Sequence, residues 1–201
     1  MNNELLDEIK EDDFEQLSDS DIFKLLWSQP KKVARFLAAE KYDKYVPFLL
    51  TVPPLLAVFT SQYFRPFFSF SNLLIPCVAT VLSSWIFSYL YAILVRWVGS
   101  FFSGEANYYA ILIVILYAGI PSTLKNILEP IYMYNMPELV FVFKIVGLGI
   151  SIYTLVLTVA MVAEVHKFNN GLAFVSLLLG GLIFLVPFLI IGFSGLMSYI
   201  M

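Results

Sequence analysis

The chain has 201 residues, of which 60% are hydrophobic and only 13% charged, and its formal net charge is −3. Ordinary globular chains are about 45–50% apolar and about 25% charged, so this composition, with a mean hydropathy of +0.82, is that of an integral membrane protein. A single cysteine, Cys77, excludes a disulfide-stapled secreted domain, and the negative charge argues against nucleic acid as a partner.

The charge is unevenly placed. Residues 1–24 hold nine acidic side chains against Lys10 and Lys24, a net of −7, whereas residues 25–201 carry a net of +4. The first stretch has no cationic segment followed by an apolar core, so it does not read as a signal peptide. Residues 1–19 read as a mobile acidic tail that either solubilises the terminus or docks a basic partner.

Ser18-Asp-Ser-Asp21 then offers capping oxygens and first-turn negative charge to a short helix carrying Ile22, Phe23, Leu25, Leu26 and Trp27. Ser28-Gln29-Pro30 breaks it, and Pro30 suits the first position of a second helix, where its missing N–H has no intrahelical partner. That second helix places Val33, Phe36 and Leu37 on one face and Lys31, Lys32, Arg35 and Lys41 elsewhere. Residues 20–45 therefore read as a cytoplasmic amphipathic helical element. Its apolar side meets either a headgroup interface or the protein's own spans.

Charge-free runs at 45–64, 66–95, 106–124, 145–163 and 168–201 segment the rest. A span needs about 20 apolar residues. The fold class expected is all-α, a five-span bundle over 46–201, with spans near 46–64, 73–97, 107–128, 138–163 and 172–198. The first contains Pro47, Pro53 and Pro54 and is expected to kink or partly unwind. Ser69-Phe-Ser-Asn72 supplies a turn before the second. Counting Lys and Arg near span ends places Lys31, Lys32, Arg35, Lys41, Lys44, Arg96 and Lys167 on the N-terminal side and Arg65 and Lys125 opposite. The N-terminus is therefore expected in the cytoplasm and Met201 across the membrane.

Ionisable groups at membrane depth are functional candidates. Lys144 stands six residues into the fourth span, with Glu129 or Glu138 as partner and Asn126 nearby. It either pins two spans together, snorkels outward, or joins Glu129 and Asn126 in a substrate or ion site. Glu164, His166 and Lys167 form a polar loop before the last span, and His166, the only histidine, reads as a solvated loop residue. One His and one Cys fall short of a zinc site, so no metal and no cofactor are expected. Gly192-Phe-Ser-Gly195 copies the Gly-x-Ser-Gly string of rhomboid proteases, but no histidine follows to act as base, so the serine is not activated. Small residues there read as close helix packing. No aspartate occurs after Asp43, which excludes an aspartate pair within the spans, and no catalytic residue is expected.

Gly119-Ile-Pro121 and Pro187 punctuate the third and fifth spans. The order of elements then matters. Trp27-Ser-Gln-Pro30-Lys-Lys precedes the spans. Phe102-Ser-Gly-Glu-Ala-Asn-Tyr-Tyr109 leads into a span with Tyr117-Ala-Gly-Ile-Pro121. Ala163-Glu-Val-His-Lys-Phe-Asn-Asn-Gly171 precedes the last span. This order resembles the Yip domain family of Ypt/Rab-interacting membrane proteins, and in particular its short bacterial members. Pro30, Gly104, Tyr117, Pro121, Glu164 and Gly171 occupy the family's positions. The resemblance implies a five-span fold without a catalytic site. It also implies a trafficking-like role, since eukaryotic members act in secretory trafficking and bind prenylated small GTPases.

The expected function is a non-enzymatic scaffold in a bacterial inner membrane. It recruits a lipid or an unidentified membrane or cytoplasmic protein through Trp27, Lys31, Lys32, Arg35, Gly104, His166 and Lys167, with a second copy as a further partner. The alternative is a small transporter, channel or transporter subunit built on the proline-broken spans and Lys144.

Overall fold

The structure, a computed structural model, describes residues 17–39, 44–63 and 73–200, less the side chains of 137, 188 and 190–200. Most of the acidic tail, Lys41, Arg65, the turn at 69–72 and the Ser194 side chain lie outside the described residues.

Helix α1 spans Asp19–Ser28 and begins with a capping box. The Ser18 hydroxyl accepts from the Asp21 amide, and the Asp21 carboxylate accepts from the Ser18 amide, both at 3.3 Å. Two otherwise orphaned donors are satisfied reciprocally. The Ser18 hydroxyl also donates to Asp21 and holds that carboxyl below its usual value. Pro30 opens α2, Pro30–Ala39, at the position expected. Val33, Ala34, Phe36 and Leu37 of α2 are buried.

Helix α3 spans Val46–Tyr63 and α4 spans Leu74–Ser100. The segment with Pro53 and Pro54 was expected to kink or partly unwind; it is one helix from end to end. The Trp85 indole N–H donates to the Thr51 hydroxyl at 3.2 Å, tying α3 to α4 at that depth. The third span is broken. Helices α5, Tyr108–Ala118, and α6, Ile120–Asn135, meet at Gly119 with a bend of 43°. Pro121 lacks the N–H that would bond the Tyr117 carbonyl, which is the physical cause of the break. Asn107 caps α5 by accepting from the Ala110 amide at 2.7 Å.

A 3₁₀ turn at Pro137–Leu139 leads into α7, Val140–His166, and α8 runs Asn170–Ile200. Counting the bent pair as one, five segments are long and apolar enough to cross a membrane. Helices α4 and α8 form one broad contact. Gly180 permits it, because a Cβ there would lie 3.1 Å from the Val95 side chain and 3.4 Å from its backbone. The Tyr91 hydroxyl donates to the Leu177 carbonyl across the same seam at 3.1 Å.

Helix α5 is the hub. Ile111, Leu112, Ile113 and Val114 are all fully buried, although four consecutive residues point in every direction around a helix. Helices α2, α3, α4 and α7 surround it. The apolar face of α2 thus packs on the protein's own helices, and the headgroup alternative is not what this face does.

The helices are staggered. Pro53, Pro54, Ser84, Leu116 and Gly119 line one small cavity and so share a level. From that level, α4 continues through Ser100 while α3 reaches only Val46. The difference is roughly 12 Å at 1.5 Å per residue. His166 packs on Gly99, so α7 ends level with α4. A collar of α4 and α7 therefore stands beyond the start of α3, and α1 and α2 are folded against α5 and α7.

Candidate functional site

The collar and its helical hairpin hold most of the polar candidates. Trp27 stacks on Tyr153 with ring centroids 6.0 Å apart and 5° between planes, and the Tyr153 hydroxyl donates to the Trp27 carbonyl at 3.2 Å. Arg35 forms an ion pair with Glu164. Tyr153 and Glu164 lie eleven residues apart on α7, about 16 Å along its axis. The hairpin is thus fastened to α7 at two depths. A third fastening lies at its start, where Asp19 accepts from Lys44 at 3.0 Å and from the Tyr45 hydroxyl. Lys44 is pushed above its usual value by the Asp19 hydrogen bond first and by Tyr45 second.

The outward face of the hairpin carries Phe23, Lys24, Trp27, Lys31 and Lys32, all exposed. The ion pairs among the described residues are Arg35–Glu164, Lys44–Asp19 and Lys167–Glu105. Lys24, Lys31 and Lys32 take part in none of them. Between α1, α3 and α6 lies an apolar cavity of ≈ 390 Å³, with Tyr117 in its wall and Asp19 and Tyr45 among its lining residues. Pro121 is buried beside the helix break.

His166 departs from expectation. It is the last residue of α7, not a loop residue, and only 1% of it is exposed. Its ring stacks on Phe168 at 4.6 Å and 2°. Gly99 and Gly104 close over it; a Cβ on either would fall within 2.5 Å of the imidazole. Neither ring nitrogen has a hydrogen-bond partner. A partner at the surface does not reach this side chain. Lys167 ends α7 in the left-handed region at φ 59° and pairs with Glu105 at 2.5 Å, while the Glu105 amide donates to the His166 carbonyl at 3.5 Å. His166 and Gly104 together close the joint between the 101–107 loop and the end of α7. Gly171 sits in the first turn of α8, where Asn169 caps by accepting from the Leu172 amide at 2.9 Å.

The residues expected at membrane depth are not brought together. Lys144 is exposed on the outer surface of α7, near its start, and forms no ion pair with Glu129 or Glu138. Asn126 is exposed and lines the small cavity beside Pro53 and Pro54, away from Lys144. The inward-turned cation is Lys125. Its ammonium donates to the Ser151 hydroxyl at 3.2 Å, and its stem lies on Gly147. One turn away the Ser122 hydroxyl donates to Thr154 at 3.0 Å. The signal was present in the sequence as hydroxyls at 151, 154 and 158 on one face of α7. Among the described residues no group of His, Cys, Asp and Glu is placed to hold a metal ion.

Five apolar crossings in a helical bundle, with an amphipathic hairpin clamped to one end, define a polytopic all-α membrane protein. The model of the Yip1 domain matches residues 23–199, and the chain belongs to that family of trafficking-related, non-enzymatic membrane proteins. No curated protein and no solved structure matches the chain.

Proposed function

We propose that the protein is a non-enzymatic membrane organiser that recruits a protein or lipid partner through the outward face of the α1–α2 hairpin. The observation that carries this reading is the division of the hairpin's two faces. Its inner face, with Ile22, Leu26, Val33, Phe36 and Leu37, is buried, and Asp19, Trp27 and Arg35 fasten its edges, while Lys24, Lys31 and Lys32 project outward. A rigidly held basic and aromatic surface loses little conformational entropy on binding. On this reading the hairpin side is cytoplasmic, the membrane is a bacterial inner membrane, and a second copy of the chain is among the partners. His166, Gly104 and Lys167 act from beneath, by holding the end of the collar in shape.

The test is crosslinking in native membranes, followed by identification of co-isolated proteins and lipids. Lys31→Glu with Lys32→Glu reverses the outward charge and leaves the Arg35–Glu164 clamp intact. The expected result is loss of the captured partner with an unchanged melting temperature. Capture of nothing in the parent protein, or unchanged capture in the variant, overturns the proposal.

A further inference from the structure

The α1–α2 hairpin dips along the side of the bundle. Its outer ends sit high: Asp19 meets Lys44 and Tyr45 just before α3, and Ala38 lines a small cavity with Asn107, Tyr108 and Ala110 at the start of α5. Its turn sits low, because Trp27 stacks on Tyr153, the midpoint of α7, thirteen residues or about 20 Å from His166. Lys31 and Lys32 fall between Trp27 and Arg35, whose partners on α7 are Tyr153 and Glu164, so their backbone runs beside that length of α7. Lys24 stands on α1 opposite the buried Ile22 and Leu26.

The flanks at this level are apolar. Helix α7 has no charged residue from 145 to 163 and exposes Leu155 and Val156. Helix α3, beside α1, exposes Phe48 and Leu56. Apolar surface on a membrane span faces acyl chains. An ammonium rooted at such a level needs an anion, or a stem that carries it to the headgroups. Lys24, Lys31 and Lys32 are exposed and belong to none of the ion pairs among the described residues. The described acids of the hairpin are engaged, Asp19 with Lys44 and Tyr45 and Asp21 with Ser18.

We propose that Lys24, Lys31 and Lys32 hold the phosphodiesters of anionic phospholipids in the leaflet around the hairpin. On the reading of the outward face as a recruiting surface, its partner is thus lipid of the same bilayer. Depth selects lipid, because a soluble protein meets the ends of the helices and not a level flanked by the apolar surfaces of α3 and α7. Charge selects the kind of lipid. A choline or ethanolamine headgroup carries its own cation beside the phosphate, whereas a glycerol headgroup leaves the phosphate charge to the lysines. Trp27, 40% exposed, adds an apolar ring with one polar N–H, which suits the boundary between chains and headgroups.

Trp27 supplies the readout. With Trp85→Phe and Trp97→Phe it is the only indole, and the protein is reconstituted in mixed bilayers of phosphatidylcholine and phosphatidylglycerol. One lipid at a time carries bromines midway along its acyl chains, which quench indole on contact. Quenching is expected to favour phosphatidylglycerol by about fivefold or more, from about 1 kcal/mol per lysine near an anionic surface, and added salt should reduce that preference. Lys31→Gln with Lys32→Gln leaves the Arg35–Glu164 clamp intact and is expected to remove most of the preference. Lys144→Gln, toward the other end of α7, is expected to leave it unchanged. An unchanged melting temperature establishes that the variants are folded. Equal quenching by the two lipids in the parent, or a preference that survives in the folded double variant, overturns the proposal. Quenching by aqueous acrylamide and by neither brominated lipid also overturns it, by placing Trp27 outside the acyl layer. If, with equal quenching, a protein is captured by crosslinking and lost in Lys31→Glu with Lys32→Glu, lipid is excluded as the partner and recruitment by this face stands. Equal quenching with no capture removes both.

Discussion

Gly104→Ala adds one methyl group where two aromatic rings already stand. The new Cβ would lie 2.3 Å from His166 Nδ1 and 2.5 Å from Phe168 Cζ. Neither ring is the free end of a flexible side chain. His166 is sealed beneath Gly99, and its ring lies flat on Phe168. The glycine is required for space and not for backbone conformation, because its φ is not positive. Overpacking of this kind costs about 1–3 kcal/mol, and the upper half of that range is expected because two rings must shift together. Removing the imidazole should relieve the strain, so Gly104→Ala with His166→Ala should recover more than about 1 kcal/mol relative to the sum of the single changes. His166→Ala alone should cost less than an apolar truncation of similar size, since it also removes two buried nitrogens without partners. Reversible unfolding in mixed micelles gives all three values. A Gly104→Ala variant within about 0.5 kcal/mol of the parent, the range of a neutral surface change, refutes the packing argument, as does a pair of changes that simply add.

Two further outcomes follow from the fastening of the hairpin. Glu164→Gln removes one charge of the half-exposed clamp to Arg35; it should cost no more than about 1 kcal/mol of global stability, yet raise the rate of tryptic cleavage at Lys31 and Lys32 several-fold by loosening α2. The Asp21 carboxyl is held below its usual value by the Ser18 hydroxyl, so its contribution to capping α1 is complete above the ordinary carboxylate range and is lost as pH falls through the lowered value. Trp27 emission followed from pH 6 to pH 2 should report that loss, and the acid transition should be missing in Asp21→Asn.

Local chemistry made much of the fold legible. The capping serine, Pro30 and the charge-free runs placed α1, α2 and the five crossings, because caps, proline and apolar length act within one element. The break at Gly119 followed from Pro121 in the same way. Lys125 reads as the end of the third span when that span closes near residue 128, whereas helix α6 continues through it to Asn135. Lys144 stands exposed on the outer surface of α7. His166 looked like a loop residue because it sits among polar neighbours. Its burial depends on Gly99 and Gly104, more than sixty residues earlier, and only tertiary contact joins them. The inner face of α2 was plain as a pattern, but what covers it depended on the height of α5 and α7.

The clamp between Arg35 and Glu164 joins residues 129 positions apart. At about 5–20 residues per second of synthesis, the hairpin waits roughly 6–26 s after emerging before its anchor on α7 has been made. For the first part of that interval Val33, Phe36 and Leu37 have neither α5 nor α7 to cover them, and α7 is incomplete until its end. The amphipathic segment must rest on a chaperone or on the bilayer surface, with its lysines toward water and headgroups. The first helices must then return onto helices made later, so a nascent chain halted before α7 is made displays an apolar face that the finished protein conceals.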